Sequence, residues 1–228
     1  MPLTYLINHS ISSSCFPSQW KQASVTPIPK KAQASEPKYF RPISILPCLS
    51  KVCENIISDQ IFSFLHYHAL LSPCQSGFRP NHSCTTAMVK ILDDIRIPFD
   101  NNHITILCLL DFTKAFDTVD HLILCQKLKN LFCFSNSAVN LINSYLTNRS
   151  QLVNVLGRLS QRKHVPCGVP QGSILGPLLF SLFINYIFQV CKYSTMDGYA
   201  DDLQTYLSGP VGEIDNLSKL MNIDLLGL

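Results

Sequence analysis

Asp201 and Asp202 stand side by side behind Tyr199-Ala200 in an otherwise apolar stretch, and Asp111 ends a separate hydrophobic run ninety residues earlier. Adjacent carboxylates repel, and carboxylates beside apolar strands lose hydration unless a cation lies between them. A divalent metal supplies that cation. The trio therefore points to a Mg²⁺ site for phosphoryl or nucleotidyl transfer, in which two ions about 3.5 to 4 Å apart hold the attacking and leaving oxygens.

Such a site needs strands that end where the carboxylates sit. Ile104 to Leu110 is a seven-residue apolar run behind the Asn101-Asn102 turn, short enough for a strand buried on both faces, with Asp111 at its C-terminal end. Tyr193 to Ala200 and Leu203 to Leu207 read as two short strands with Asp201 and Asp202 at the turn between them. Neighbouring side chains in a regular strand point to opposite faces, so only a tight bend lets adjacent carboxylates approach one site.

Helical spacing surrounds these strands. Val52, Ile56, Ile57, Ile61, Phe64 and Leu65 form an apolar face behind Ser50; Leu124, Leu128, Leu131 and Phe132 form another; Val139, Ile142, Tyr145 and Leu146 follow Asn136 as a cap. Asp117 and Asp120 are expected to cap or charge the start of a helix rather than bind metal. The Gly- and Pro-dense stretch Pro166 to Pro177 is a loop feeding a buried helix, with Pro177 in its first turn. The N-terminal third reads as irregular and proline-bearing.

Composition narrows the function classes. The chain has 228 residues, 46% of them hydrophobic, enough for a real core. Charged residues reach only 14%, against roughly 25% in typical domains, which implies an apolar surface partly meant to be covered. The longest apolar run, Ile174 to Val190, is broken by Gly176, Pro177, Asn185 and Gln189 and is shorter than the ~20 residues a membrane span requires. No secretory leader precedes the ten cysteines and no pair has CxxC spacing, so reduced, mostly core thiols are expected in an intracellular protein of the cytoplasm or nucleus, with no structural zinc.

The net charge of +3 is modest, yet residues 1–53, 54–120, 121–196 and 197–228 carry +5, −4, +7 and −5 in turn. Segregation of this kind can set a basic groove beside an acidic metal site, as a polyphosphate substrate demands; chance blockiness on solvated faces is the alternative.

Six blocks bring these features together: Trp20-Lys21 through Pro27-Ile28-Pro29-Lys30-Lys31, Tyr39 to Ser44, Gln75-Ser76-Gly77-Phe78-Arg79, Leu110 to Asp117, Gly168 to Ser173, and Tyr199-Ala200-Asp201-Asp202. In this order they resemble the reverse transcriptases of non-LTR (LINE-type) retrotransposons, over nearly the whole chain. The block at Gly77-Phe78-Arg79, with Ser83 to Ala87 after it, looks more like non-LTR and group II intron enzymes than retroviral ones.

The resemblance implies an α+β right-hand polymerase with fingers and a ferredoxin-like palm sheet. Residues 1–103 would be fingers and an N-terminal extension, and 104–228 a palm with inserted fingers elements, incomplete at its C-terminus and without a thumb. It implies RNA-directed DNA polymerisation, with Asp111, Asp201, Asp202 and the backbone of Phe112 holding two Mg²⁺ ions, Mn²⁺ being a substitute. Phe116 matches the family's sugar gate, where a bulky ring closes the space of a ribose 2′-hydroxyl. Lys31 or its neighbour Lys30, with Arg41, Ala115 and Gln171, would meet the incoming deoxynucleoside triphosphate. Phe78, Arg79, Gly172 and Tyr199 would meet the RNA template and DNA primer, and Arg149, Arg158, Arg162 and Lys163 are further backbone contacts. Gly198, directly before Tyr199, is expected to weaken its strand. The alternative readings are a catalytically inactive remnant of a decayed element that at most binds nucleic acid, and another palm polymerase such as an RNA-directed RNA polymerase. No oligomeric state is implied.

Overall fold

A computed structural model describes residues 2–33 and 35–228. In chain order its elements are α1 (Pro2–Ser12), β1 (Gln22–Pro29), β2 (Phe40–Ile45), α2 (Cys48–Tyr67), α3 (Cys84–Asp100), β3 (His103–Asp111), α4 (His121–Asn130), α5 (Asn136–Leu146), β4 (Arg149–Val155), β5 (Arg158–Leu159), β6 (Lys163–Val165), α6 (Leu175–Ile184), β7 (Thr195–Tyr199), β8 (Asp202–Pro210) and α7 (Ile214–Leu226). Residues up to Leu70 together with Lys114–Phe183 form one compact unit, and Leu71–Thr113 with Ile184–Leu228 form the other.

The first unit holds a sheet ordered β2-β1-β4-β5, with β6 also paired to β4. Contrary to the irregular N-terminal third expected, a helix and an antiparallel β1–β2 pair occupy it. Its prolines are compatible with the ladder: Pro27 faces Pro42, and Pro27 lies beyond Val25, the last β1 residue that β4 pairs. Helix α2 buries Cys53, Ile57, Ile61 and Leu65, a stripe at i, i+4 spacing that also carries Glu54. Val52 and Ile56, expected on the apolar face, lie on its flank and are exposed. Ser50, expected just ahead of the helix, lies inside it and is buried.

Helix α4 starts on Asp120, which accepts a hydrogen bond from the Ile123 amide, as anticipated. Helix α5 is capped by Ser135 rather than Asn136; the shorter hydroxyl reaches the Ala138 amide and Asn136 becomes the first helical residue. Asp117 caps nothing, lying in a 3-10 turn of Ala115–Asp117. The core includes Phe16, whose ring meets Tyr145 edge-on at 5.0 Å, and Leu175, Leu179 and Leu182 of the buried helix α6.

The second unit holds a three-stranded antiparallel sheet ordered β3-β8-β7, with helices α3 and α7. Phe188, Met196 and Leu203 form its centre, with Leu110 and Phe112 packed against them. Strand β3 is not buried on both faces: Leu107 and Leu109 are 44% and 74% exposed. An apolar run permits a two-sided strand but cannot tell which face the neighbours cover. All ten cysteines are free thiols; Cys53 is buried and the half-buried Cys74 and Cys191 pack against the Phe188, Met196 and Leu203 cluster, but five are exposed, so the expected core role fails for those five. Cys48 and Cys84, for example, open α2 and α3, where side chains face solvent. No described helix is long and apolar enough to cross a membrane.

Candidate active site

In the second unit the ladder sets Asp111, the last residue of β3, directly opposite Asp202, the first of β8. Opposed residues of an antiparallel pair share a face, so the two carboxylates point to the same side. Both are exposed, and no described residue donates a hydrogen bond to either or pairs with either as a cation. Asp201 occupies the two-residue turn Ala200-Asp201 that joins β7 to β8, closed by the Tyr199–Asp202 pair.

Hard oxygen donors with no protein counter-ion suit Mg²⁺ or Mn²⁺. Among the described residues, however, no three His, Cys, Asp or Glu side chains converge on one point. The arrangement is an opposed pair with the third carboxylate on the adjoining turn.

The turn is held from outside the hairpin. Ala200 has φ +60°, a left-handed conformation costly for a residue with a Cβ. The Gln75 side chain accepts a hydrogen bond from the Ala200 amide at 3.0 Å and donates to its carbonyl at 3.1 Å. Gly198, expected to weaken β7, sits against packed side chains: a Cβ there would lie 2.6 Å from Leu203 Cδ2 and 3.0 Å from the Phe188 ring, so these would have to shift to admit one.

Away from the aspartates, Lys90 of α3 pairs with Asp197 of β7, and the Tyr206 hydroxyl donates to Asp197 at 2.6 Å and to Asp94. Burial, reinforced by the two carboxylates it serves, pushes the Tyr206 hydroxyl pKa far up. Burial acts to lower the Lys90 pKa, but its bond to Asp197 outweighs this and raises it. Asp224 of α7 accepts from the amides of Lys192, Tyr193 and Ser194 and from the Ser194 hydroxyl. Its burial disfavours charge, yet those donors draw the carboxyl down to about 2.

The first unit holds the other expected residues. Phe116 stacks on Phe180 at 4.7 Å, with 27° between the rings. Gln171 donates to Asp117 at 3.1 Å, and both line a cavity of about 410 Å³ with Lys114 and Ser44. Gly168 and Gly172, at φ +83° and +108°, admit the chain's own backbone: added Cβ atoms would lie 2.7 Å from the Asp117 and Ser44 carbonyl oxygens. Lys31 and Arg41 are exposed; the Lys31 ammonium sits 3.5 Å above the Tyr39 ring. Ala115 is buried. Arg149 is interior, donating to the Tyr145 carbonyl with its guanidinium over that ring, whereas Arg158, Arg162 and Lys163 are exposed.

In the second unit Phe78 is exposed with φ +58°, and Arg79 donates to the carbonyls of Ser72 and Gln75. Burial lowers the Arg79 pKa.

Glu54 escaped the sequence reading. Fully buried, it accepts from the Ser50 hydroxyl at 2.7 Å, the Tyr145 hydroxyl at 3.3 Å and the amides of Ile174 and Leu175 at 2.9 and 3.2 Å, so α2 caps the start of α6. A lone acid on an apolar helical stripe, one turn after a serine, was the available signal.

The chain is 35% identical over 209 residues to the probable RNA-directed DNA polymerase from transposon BS of Drosophila melanogaster, covering 88% of this chain and 23% of that protein. Its identity to the corresponding X-element protein of the same organism is 33%, over 88% of this chain and 22% of the relative. The chain thus spans about a quarter of the length of these relatives. The fold is like that of apo telomerase from Candida tropicalis, with a TM-score of 0.61 at 12% identity, over 97% of this chain and 45% of that one. Residues 28–223 match the reverse transcriptase (RNA-dependent DNA polymerase) family, to which this chain therefore belongs.

Proposed function

We propose that the chain is the polymerase region of a non-LTR retrotransposon enzyme, adding deoxynucleotides to a DNA primer 3′-hydroxyl on an RNA template inside the cell. The observation that carries this is the opposition of Asp111 and Asp202 beside the Ala200-Asp201 turn, in a chain of this family. Two bound Mg²⁺ ions would supply activation of the hydroxyl and charge neutralisation at the departing pyrophosphate. Asp111, Asp201, Asp202 and the Phe112 carbonyl would hold them.

The remaining residues bind and discriminate. Lys31 and Arg41 take the triphosphate, Arg41 through its planar fork. Ala115 and Gln171 flank the nucleotide, and Phe116 excludes a 2′-hydroxyl. Phe78, Arg79, Gly172 and Tyr199 contact template and primer. In this reading residues 1–103 supply fingers and an N-terminal extension, and 104–228 the palm with inserted fingers elements.

The distinguishing experiment supplies one DNA primer on RNA and DNA templates with either deoxy- or ribonucleotides. Deoxynucleotide incorporation on RNA is expected. Exclusive use of ribonucleotides would assign the chain to another polymerase class.

A further inference from the structure

We infer that Gln75 is a positioning residue for the aspartate hairpin: its side-chain amide grips the Ala200 peptide and thereby sets where Asp201 and Asp202 stand. The inference rests on the proposed metal site but is read from contacts that involve none of its carboxylates. Gln75 is 3% exposed. Its Oε1 accepts from the Ala200 and Gly77 amides at 3.0 and 2.8 Å, and its Nε2 donates to the Ala200 carbonyl at 3.1 Å. Both backbone polar groups of Ala200, its N–H and its C=O, are thus taken by one side chain.

Neighbouring backbone extends the grip. Gly198 donates to the Cys74 carbonyl and accepts from the Ser76 amide, each at 2.8 Å, in a parallel bridge alongside β7. Gly77 completes it, since a Cβ there would lie 2.1 Å from the Ala200 nitrogen. Two-residue hairpin turns ordinarily place Gly, Asn or Asp at positive φ; here an alanine takes that conformation, and its two hydrogen bonds with Gln75, one accepted and one donated by that side chain, offset the strain. A merely space-filling residue would need no amide. A turn held at both its N–H and C=O cannot rock, and metal ligands tolerate little displacement.

Gln75→Met keeps the volume and removes all three hydrogen bonds; Gln75→Glu keeps the acceptor and loses the donor. In the full chain, amide hydrogen exchange at Ala200 and Asp201, Mn²⁺ binding and the unfolding temperature are measured for each. Gln75→Met is expected to speed Ala200 exchange and weaken Mn²⁺ binding, each about tenfold, while amides of Thr205 and Leu207 keep their rates. Gln75→Glu should fall between it and wild type. Unchanged Ala200 exchange, unchanged Mn²⁺ affinity, or loss of protection throughout the chain in both variants would overturn the assignment. Neither measurement uses substrate, so wild-type protein that binds Mn²⁺ but extends no primer fails the polymerase proposal alone. Wild-type protein that binds no Mn²⁺ overturns both.

Discussion

Asp111 and Asp202 face each other across the β3–β8 ladder, and among the described residues neither carboxylate has an ion-pair partner. Like charges directly opposed on neighbouring strands destabilise a sheet, so the pair costs the metal-free fold a little stability. Asp202→Asn should therefore raise the metal-free unfolding temperature by about 1 °C at low ionic strength while abolishing stabilisation by Mn²⁺. Thermal unfolding with and without the ion checks both signs at once. A fall in metal-free stability would mean that the carboxylate has a partner in the folded chain.

Phe116 gives a second expectation. Its ring rests on Phe180, so Phe116→Val gives up that stacking, worth about 1 kcal/mol, as well as ring volume. Discrimination between deoxy- and ribonucleotides should drop at least about tenfold, read from competing incorporation of the two. Retained discrimination would leave the ring as core alone.

Glu54 concentrates four donors on one buried carboxylate. Glu54→Ala should destabilise the chain by about 3 kcal/mol, because the amides at the start of α6 and two hydroxyls lose their acceptor together. Denaturant midpoints would show it, and a change within the range of a surface substitution would refute the cap.

Asp224 makes stability depend on acid. Its folded pKa lies below the unfolded carboxylate value, so its contribution is fully present above about pH 4 and is lost as pH falls toward 2. Asp224→Asn should be less stable at pH 7, and its deficit relative to wild type should shrink across that window. Unfolding temperatures taken from pH 7 to 2 test this; a constant difference would contradict it.

Local patterns carried a good share of the fold. The apolar run before Asp111, the hairpin around Asp201 and Asp202 and the buried helix after the Gly-Pro loop each follow from neighbours in sequence, and all are present. What escaped depends on partners far along the chain. Gln75 meets Ala200 across 125 positions, and Glu54 meets Leu175 across 121. Gly198 looked like a weak strand residue because its reason, the side chains of Leu203 and Phe188, lies on other elements. Asp117 shows the same limit: its sequence position suggested a cap, whereas its carboxylate is held by Gln171, 54 residues on.

The most direct measurement is Mg²⁺-dependent extension of a DNA primer on an RNA template by the chain and by its Asp201→Asn variant. Extension by the wild type that disappears in the variant, with the unfolding temperature unchanged, is the predicted result. Extension that survives the substitution would contradict the assignment of the Asp111, Asp201 and Asp202 site.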